Sequence, residues 1–196
     1  MGVKPTREQA HALLLKYNDN EALIRHAYAV EGVMRRFARL LDEDAEMWGV
    51  VGLLHDLDYQ LYPDEHCTKS AELLSEHGVD EACIRAVVSH GYGICSDVEP
   101  LHAMEKVLYT IDELTGLINA SVIMRPDRDI KNFEFKSLNK KFKTPAFAAG
   151  VDRDIIRRGA ELLADINPDF TFEYICNETI NGMRDVAGAI GLDGGV

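Results

Sequence analysis

The chain reads as an all-α protein, one compact helical bundle, on three observations. Helix-capping signals recur from end to end, apolar residues repeat at helical spacing between them, and strand-forming runs are short and lack hairpin turns. Its 196 residues suit a single domain, with a core at about residues 20–120 and a helical extension over 121–191.

The elements follow in order. Thr6-Arg7-Glu8-Gln9 is a capping box leading into Leu13 and Leu14. From Asn20, the residues Leu23, Ala27, Val30, Met34, Phe37 and Leu41 form one apolar stripe. Asp44 caps a third helix through Met47, Val50, Val51 and Leu54. Thr68 opens a short helix closing at Gly78, and Asp80 opens another closing at Gly91. Leu101 to Ile118 is a long helix with Met104, Val107, Leu108 and Ile111 on a shared face. Lys136, Lys140 and Lys141 fit adjacent turns of a short helix. Asp152 begins a helix running to Leu163, and Phe172 begins the last. The glycine-rich end, Gly191 to Val196, is expected to fray. Val87-Val88 and Ser121-Val122-Ile123 are β-friendly but have no turn to pair them.

Composition excludes some functions. With 46% hydrophobic and 28% charged residues the chain is ordinary globular protein. Its 21 basic and 33 acidic residues give a net charge of −12, which argues against a partner such as duplex nucleic acid or an anionic membrane surface. The opening Met1-Gly-Val-Lys-Pro-Thr has no apolar core behind its lysine, so no secretory signal is expected. No apolar run approaches the ~18 residues of a membrane span. The cysteines Cys67, Cys83, Cys95 and Cys176 form no C-x-x-C pair and read as reduced thiols of a cytoplasmic protein.

Several polar residues lie where helices should be apolar. His26 sits on the stripe between Leu23 and Val30, His55-Asp56 follows directly on Leu53-Leu54, and Asp112 follows Ile111. An unpaired buried carboxylate costs several kcal/mol, so each must reach solvent, a cation or a metal. Taken singly, each has an ordinary structural explanation. Their order on three separate helices is what points to one shared site, because bundle cores build metal sites from facing helices.

A histidine, a His-Asp pair and a distant aspartate resemble the signature of the HD-domain superfamily of metal-dependent phosphohydrolases, over about residues 20–120. The resemblance implies a bundle of the HD-domain type. It is closest to the bacterial branch that binds two metals, where two further histidines match His66 and His90 here, and Ser70-Ala71 and Gly93 also fit. In that arrangement His26, His55 and Asp112 hold one ion, His66 and His90 hold the other, and Asp56 bridges. Imidazoles with carboxylates suit Fe, Mn, Co, Ni or Zn, with Mg a further option. The implied reaction is hydrolysis of a small phosphorylated substrate, such as a nucleotide, by a hydroxide shared between the ions, with Asp56 and His55 at its centre. The same ligand set also serves di-iron oxygenases, and a third reading is a non-catalytic nucleotide sensor. Relatives often continue the pair with Ile-Gly-Lys, where this chain has Leu57-Asp58-Tyr59-Gln60.

Around the ligands, Glu31, Asp58 and Glu65 are the candidates to orient the histidines. His11, His77 and His102 read as structural. Cys67, next to His66, is a secondary candidate. Residues 121–150 hold seven basic against three acidic residues, a local +4. They are either a solvated basic loop or an anion site, and Arg125, Arg128, Lys140 and Lys141 are the candidates to grip a substrate phosphate. Tyr59, Tyr62 and Tyr92 are either base-stacking rings or packing. Nothing in the sequence fixes an oligomeric state.

Overall fold

A computed structural model describes residues 2–195; Met1 and the final residue of the glycine-rich end, Val196, lie outside them. The protein is all-α, and among the described residues extended pairing is limited to isolated bridges such as Val3 with Val79. The helices are α1 (Arg7–Tyr17), α2 (Glu21–Leu40), α3 (Ala45–Leu54), α4 (Thr68–Glu76), α5 (Glu81–Ser89), α6 (Ala103–Ile123), α7 (Phe135–Phe142), α8 (Arg153–Ala164), α9 (Phe172–Asp185) and α10 (Ala187–Ile190), with a 3-10 turn at Pro63–Glu65 before α4. Both β-friendly runs are helical.

Most helices start where a side-chain oxygen accepts an unpaired backbone N–H. Thr6 and Gln9 form a reciprocal capping box, Asn20 accepts from Ala22, Asp44 from Glu46 and Met47, Asp80 from Ala82, and Asp152 from Asp154 and Ile155. Helix α6 departs from the sequence reading at both ends. His102 caps it, with Glu105 completing the box, and it continues to Ile123. Helix α4 has no side-chain cap; it begins after Cys67, whose φ is 68°.

Helices α2 and α6 form the centre. Helix α2 packs on α3, α6, α9 and α10, while α6 packs on α2, α5, α7, α8 and α9. Surrounded in this way, α2 buries Ala27, Val30, Val33, Met34 and Phe37, and α6 buries Val107, Leu108, Ile111, Leu114 and Ile118. Beyond its first turn, helix α3 is apolar on every face because α1, α2 and α5 enclose it. At Gly52 the α2 backbone comes so close that an added β-carbon would lie 3.0 Å from the Cα and N of Glu31. This close approach draws the end of α3 against α2 and fixes where the chain leaves it.

Two buried charges are neutralised differently. Glu31 accepts from Arg7 at 2.6 and 2.9 Å and from Arg35 at 2.9 Å, joining α1 to α2, and Arg35 continues to Glu46 on α3 at 2.6 Å. Arg153 instead donates to the backbone carbonyls of Phe142, Thr144, Phe147, Ala148 and Val151, gathering the α7–α8 loop around its guanidinium.

The end of the chain differs from the expected frayed tail. Gly191 reverses direction at φ 70°, Leu192 is 1% exposed, and the Leu192 carbonyl accepts from Ile130 N at 2.9 Å. An apolar side chain that reaches the core outweighs the conformational freedom of the flanking glycines.

Candidate metal centre

Six side chains meet between α2, α3 and α6 on one side and the α4 and α5 ends on the other. His26 comes from the second turn of α2 and Asp112 from the middle of α6. His55 caps α3, and Asp56 follows it into a tight turn. His66 ends the 3-10 turn, and His90 caps α5. The turn bearing Asp56 is tied back to the α1–α2 junction. Asn18 donates to the Leu57 carbonyl at 3.1 Å, and the Gln60 side chain accepts from the backbone N–H groups of Asp19 and Asn20 at 2.9 and 3.0 Å.

The histidines face one another in two pairs. His26 Nε2 is 3.2 Å from His55 Nε2, and His66 Nε2 is 3.1 Å from His90 Nε2. Asp56 stands between the pairs with one oxygen for each. Its Oδ2 is 3.3 Å from His55 and 3.7 Å from His26, and its Oδ1 is 3.4 Å from His66 and 3.6 Å from His90. Asp112 Oδ1 adds to the first pair, at 2.8 Å from His26 and 3.4 Å from His55.

The opposite ring nitrogens determine what this arrangement needs. Nδ1 of His55 donates to the Gly52 carbonyl at 2.8 Å, Nδ1 of His90 donates to the Val87 carbonyl, and Nδ1 of His66 donates to Asp58 Oδ1 at 2.7 Å. A neutral imidazole with Nδ1–H presents only a lone pair at Nε2. For these three rings in the neutral form, lone pairs and carboxylate oxygens converge, and a cation would resolve the conflict.

Without an ion, protons meet the same demand for positive charge. Burial alone would lower the proton affinity of His55, yet the carboxylates of Asp56 and Asp112 outweigh it and hold the ring well above the usual imidazole range. Burial would raise Asp56 and Asp112, but the surrounding imidazoles push both well below the usual carboxylate range. Burial likewise opposes protonation of His66, and the Asp58 bond together with the charges of Asp56, Asp58 and Cys95 outweighs it. The cluster favours positive charge at its centre.

Residues 23–117 match the family model of the HD domain, and all six converging residues fall within them. The chain carries an HD domain. This domain defines a superfamily of metal-dependent phosphohydrolases, whose members bind divalent metals. No solved structure matches the chain.

The departure after the HD pair has a structural use. Asp58 is fully buried and accepts from Ser70 N at 2.7 Å as well as from His66, so one carboxylate sets the ring and the start of α4 together. Of the other candidates to orient the histidines, Glu31 belongs to the arginine network and Glu65 lies 3.9 Å from Lys69. His11 bonds Tyr28, His77 bonds the Leu73 carbonyl, and His102 caps α6, all away from the cluster.

A cavity of about 300 Å³ opens over the HD-domain cluster, walled by Tyr59, Ile94, Cys95, Tyr109, Glu113 and Ile155. Tyr59 meets His66 edge-on, with ring centroids 5.1 Å apart. Tyr62 lies under Lys69, and Tyr92 sits beside Tyr109 rather than over the cluster. Sequence reasoning missed Tyr109, Glu113 and Gly116, although helical spacing from Asp112 marks the first and last as neighbours on its face. Glu113 accepts from Asp152 N at 3.0 Å, and burial together with Asp112 pushes its carboxyl up to about 7.

The basic segment contributes unevenly. Arg128 and Arg25 line a second cavity of about 190 Å³ that shares His26 with the first. Arg125 is paired with Asp127 at 2.7 Å. Lys140 and Lys141 lie on α7, Lys141 over the Phe147 ring at 4.2 Å, and neither they nor Arg125 lines either cavity. No helix of the described residues is long and apolar enough to cross a membrane.

Proposed function

We propose that this HD domain hydrolyses a phosphate ester of a small metabolite or nucleotide with two divalent cations. His26, His55 and Asp112 would hold one and His66 and His90 the other, with Asp56 shared. The observation that carries this reading is the division of Asp56, one oxygen toward each facing pair of imidazole lone pairs. Nitrogen and carboxylate donors favour Mn, Fe, Co, Ni or Zn over calcium. When bound, such ions supply Lewis-acid activation of water and neutralise charge on a phosphoryl group.

The chain's own residues have separable tasks. The carbonyls of Gly52 and Val87 and the carboxylate of Asp58 hold three rings in the tautomer that keeps Nε2 free. Tyr59, Tyr109 and Ile155 wall the cavity, and about 300 Å³ admits a small substrate. Of the cations expected at the phosphate, Arg128 is the one retained here, because it borders His26 from the adjoining cavity and belongs to no ion pair among the described residues. Arg25 joins it on that wall.

The test is turnover. Protein loaded with manganese, iron, cobalt or nickel is screened over phosphomonoesters and nucleotides, and His55→Ala and Asp56→Ala should each lower the rate by about 10³ or more. Undiminished rates in those variants overturn the assignment. Oxygen uptake with ferrous iron, in place of phosphate release, would move the domain to the oxygenases.

A further inference from the structure

Cys67 and Cys95 bring their sulfurs to 2.9 Å apart at the rim of the cluster, closer than two thiols pack without bonding. Neither position is accidental. Cys67 is held at φ 68° between His66 and α4. Cys95 sits in a turn where Ile94, Cys95 and Ser96 all donate to the Gly91 carbonyl, at 2.9, 3.0 and 3.1 Å. Gly91 completes the arrangement, since a β-carbon there would lie under 3.0 Å from both sulfurs. Cys95 is exposed and lines the cavity, whereas Cys67 is buried behind it. The remaining cysteines are sequestered, Cys83 against the Met47 sulfur at 3.4 Å and Cys176 at 0% exposure.

We propose that Cys67 and Cys95 are a peroxide-responsive thiol pair whose reversible disulfide governs the His66–His90 half of the metal centre. A disulfide bond is about 2.05 Å long, so closure asks for less than about 1 Å of movement between two already facing sulfurs. The Cys95 sulfur attacks a peroxide oxygen and breaks the O–O bond, giving a sulfenic acid and one water when hydrogen peroxide is the oxidant. The Cys67 sulfur then attacks the Cys95 sulfur, the S–O bond breaks and a second water leaves. Two thiols and one peroxide become one disulfide and two waters.

The connection to the metal centre is geometric. The Cys67 sulfur and ligand nitrogens of His66 and His90 all lie within 4.8 Å of one another. The reduced sulfur is an available soft donor at that half, and the disulfide removes it while drawing the turn after His90 toward α4. This consequence rests on the metal reading proposed above; the cross-link itself does not.

The holoprotein, reduced and desalted, is treated with equimolar hydrogen peroxide, alkylated, and digested without reductant for peptide mass spectrometry. The expected result is a Cys67–Cys95 linked peptide as the dominant disulfide, reversed by dithiothreitol and absent from Cys95→Ser. Alkylation of both residues after peroxide, or Cys95 carried to sulfinic acid without a link, overturns the pair. Metal analysis of the same samples should show the oxidised chain losing about one of two bound ions. A complete link with unchanged metal content overturns control of the centre. A His66→Ala chain should still form the link, so a failed metal reading is distinguishable from a failed thiol pair.

Discussion

Replacing Asp58 by asparagine separates the orientation of a ligand from the ligand itself. The carboxylate is fully buried and accepts two bonds of 2.7 Å, from His66 Nδ1–H and from Ser70 N–H. An asparagine has one oxygen for these two donors, so in either orientation its amide NH₂ meets one of them. Losing a charge-assisted bond in that setting costs about 1.5–3 kcal/mol. Expressed as metal affinity, loss of such a partner is worth roughly 10–100-fold, or about 1.4–2.7 kcal/mol. The loss should fall on the His66–His90 ion alone, because the side-chain bonds of Asp58 go to His66 and Ser70 and not to His26, His55 or Asp112. Calorimetric titration of chelator-stripped protein with zinc or manganese measures both positions, and circular dichroism checks that the fold persists. In the metal-free variant His66 should also titrate at lower pH by nuclear magnetic resonance, since the Asp58 bond raises its proton affinity in the native chain. Equal weakening of both positions, or of neither, refutes the reasoning.

Glu31→Ala leaves Arg7 and Arg35 without their shared acceptor and should cost about 2–3 kcal/mol, discounted from the fully buried case because Arg7 is 44% exposed; urea unfolding within 0.5 kcal/mol of wild type would contradict it. Gly52→Ala gains about 1 kcal/mol of helix propensity, but its β-carbon meets the α2 backbone, so a net loss of about 1 kcal/mol is expected. A raised melting temperature would show that the helices separate freely there. Leu192→Ala should cost about 2–3 kcal/mol, whereas a frayed tail would leave stability unchanged.

Much of this molecule is legible in its sequence because the relevant physics is short-ranged. Thr6, Asn20, Asp44, Asp80 and Asp152 cap helices through side-chain oxygens two or three residues from their donors, and that spacing is written in the chain. His26, His55 and Asp112 stand out because they interrupt apolar stripes, and their juxtaposition follows once three helices pack. What stays hidden depends on distant partners. Leu192 is held by Ile130, Cys67 begins a helix with no cap while facing Cys95, and Asp58 acts through both His66 and Ser70. Charge counting identifies the basic segment yet does not reveal that Arg125 is already satisfied by Asp127.

The α7–α8 loop takes part of its shape from outside its own sequence. Its carbonyls converge on the guanidinium of Arg153, a residue of the following helix, rather than on turns built from its own side chains. Phe147, Ala148 and Val151 pack on the core as well, so the path of residues 143–151 depends on that cation and on those apolar anchors together. Glu113 accepts from Asp152 N directly after the loop, so the wall of the cavity beside Glu113 inherits that dependence.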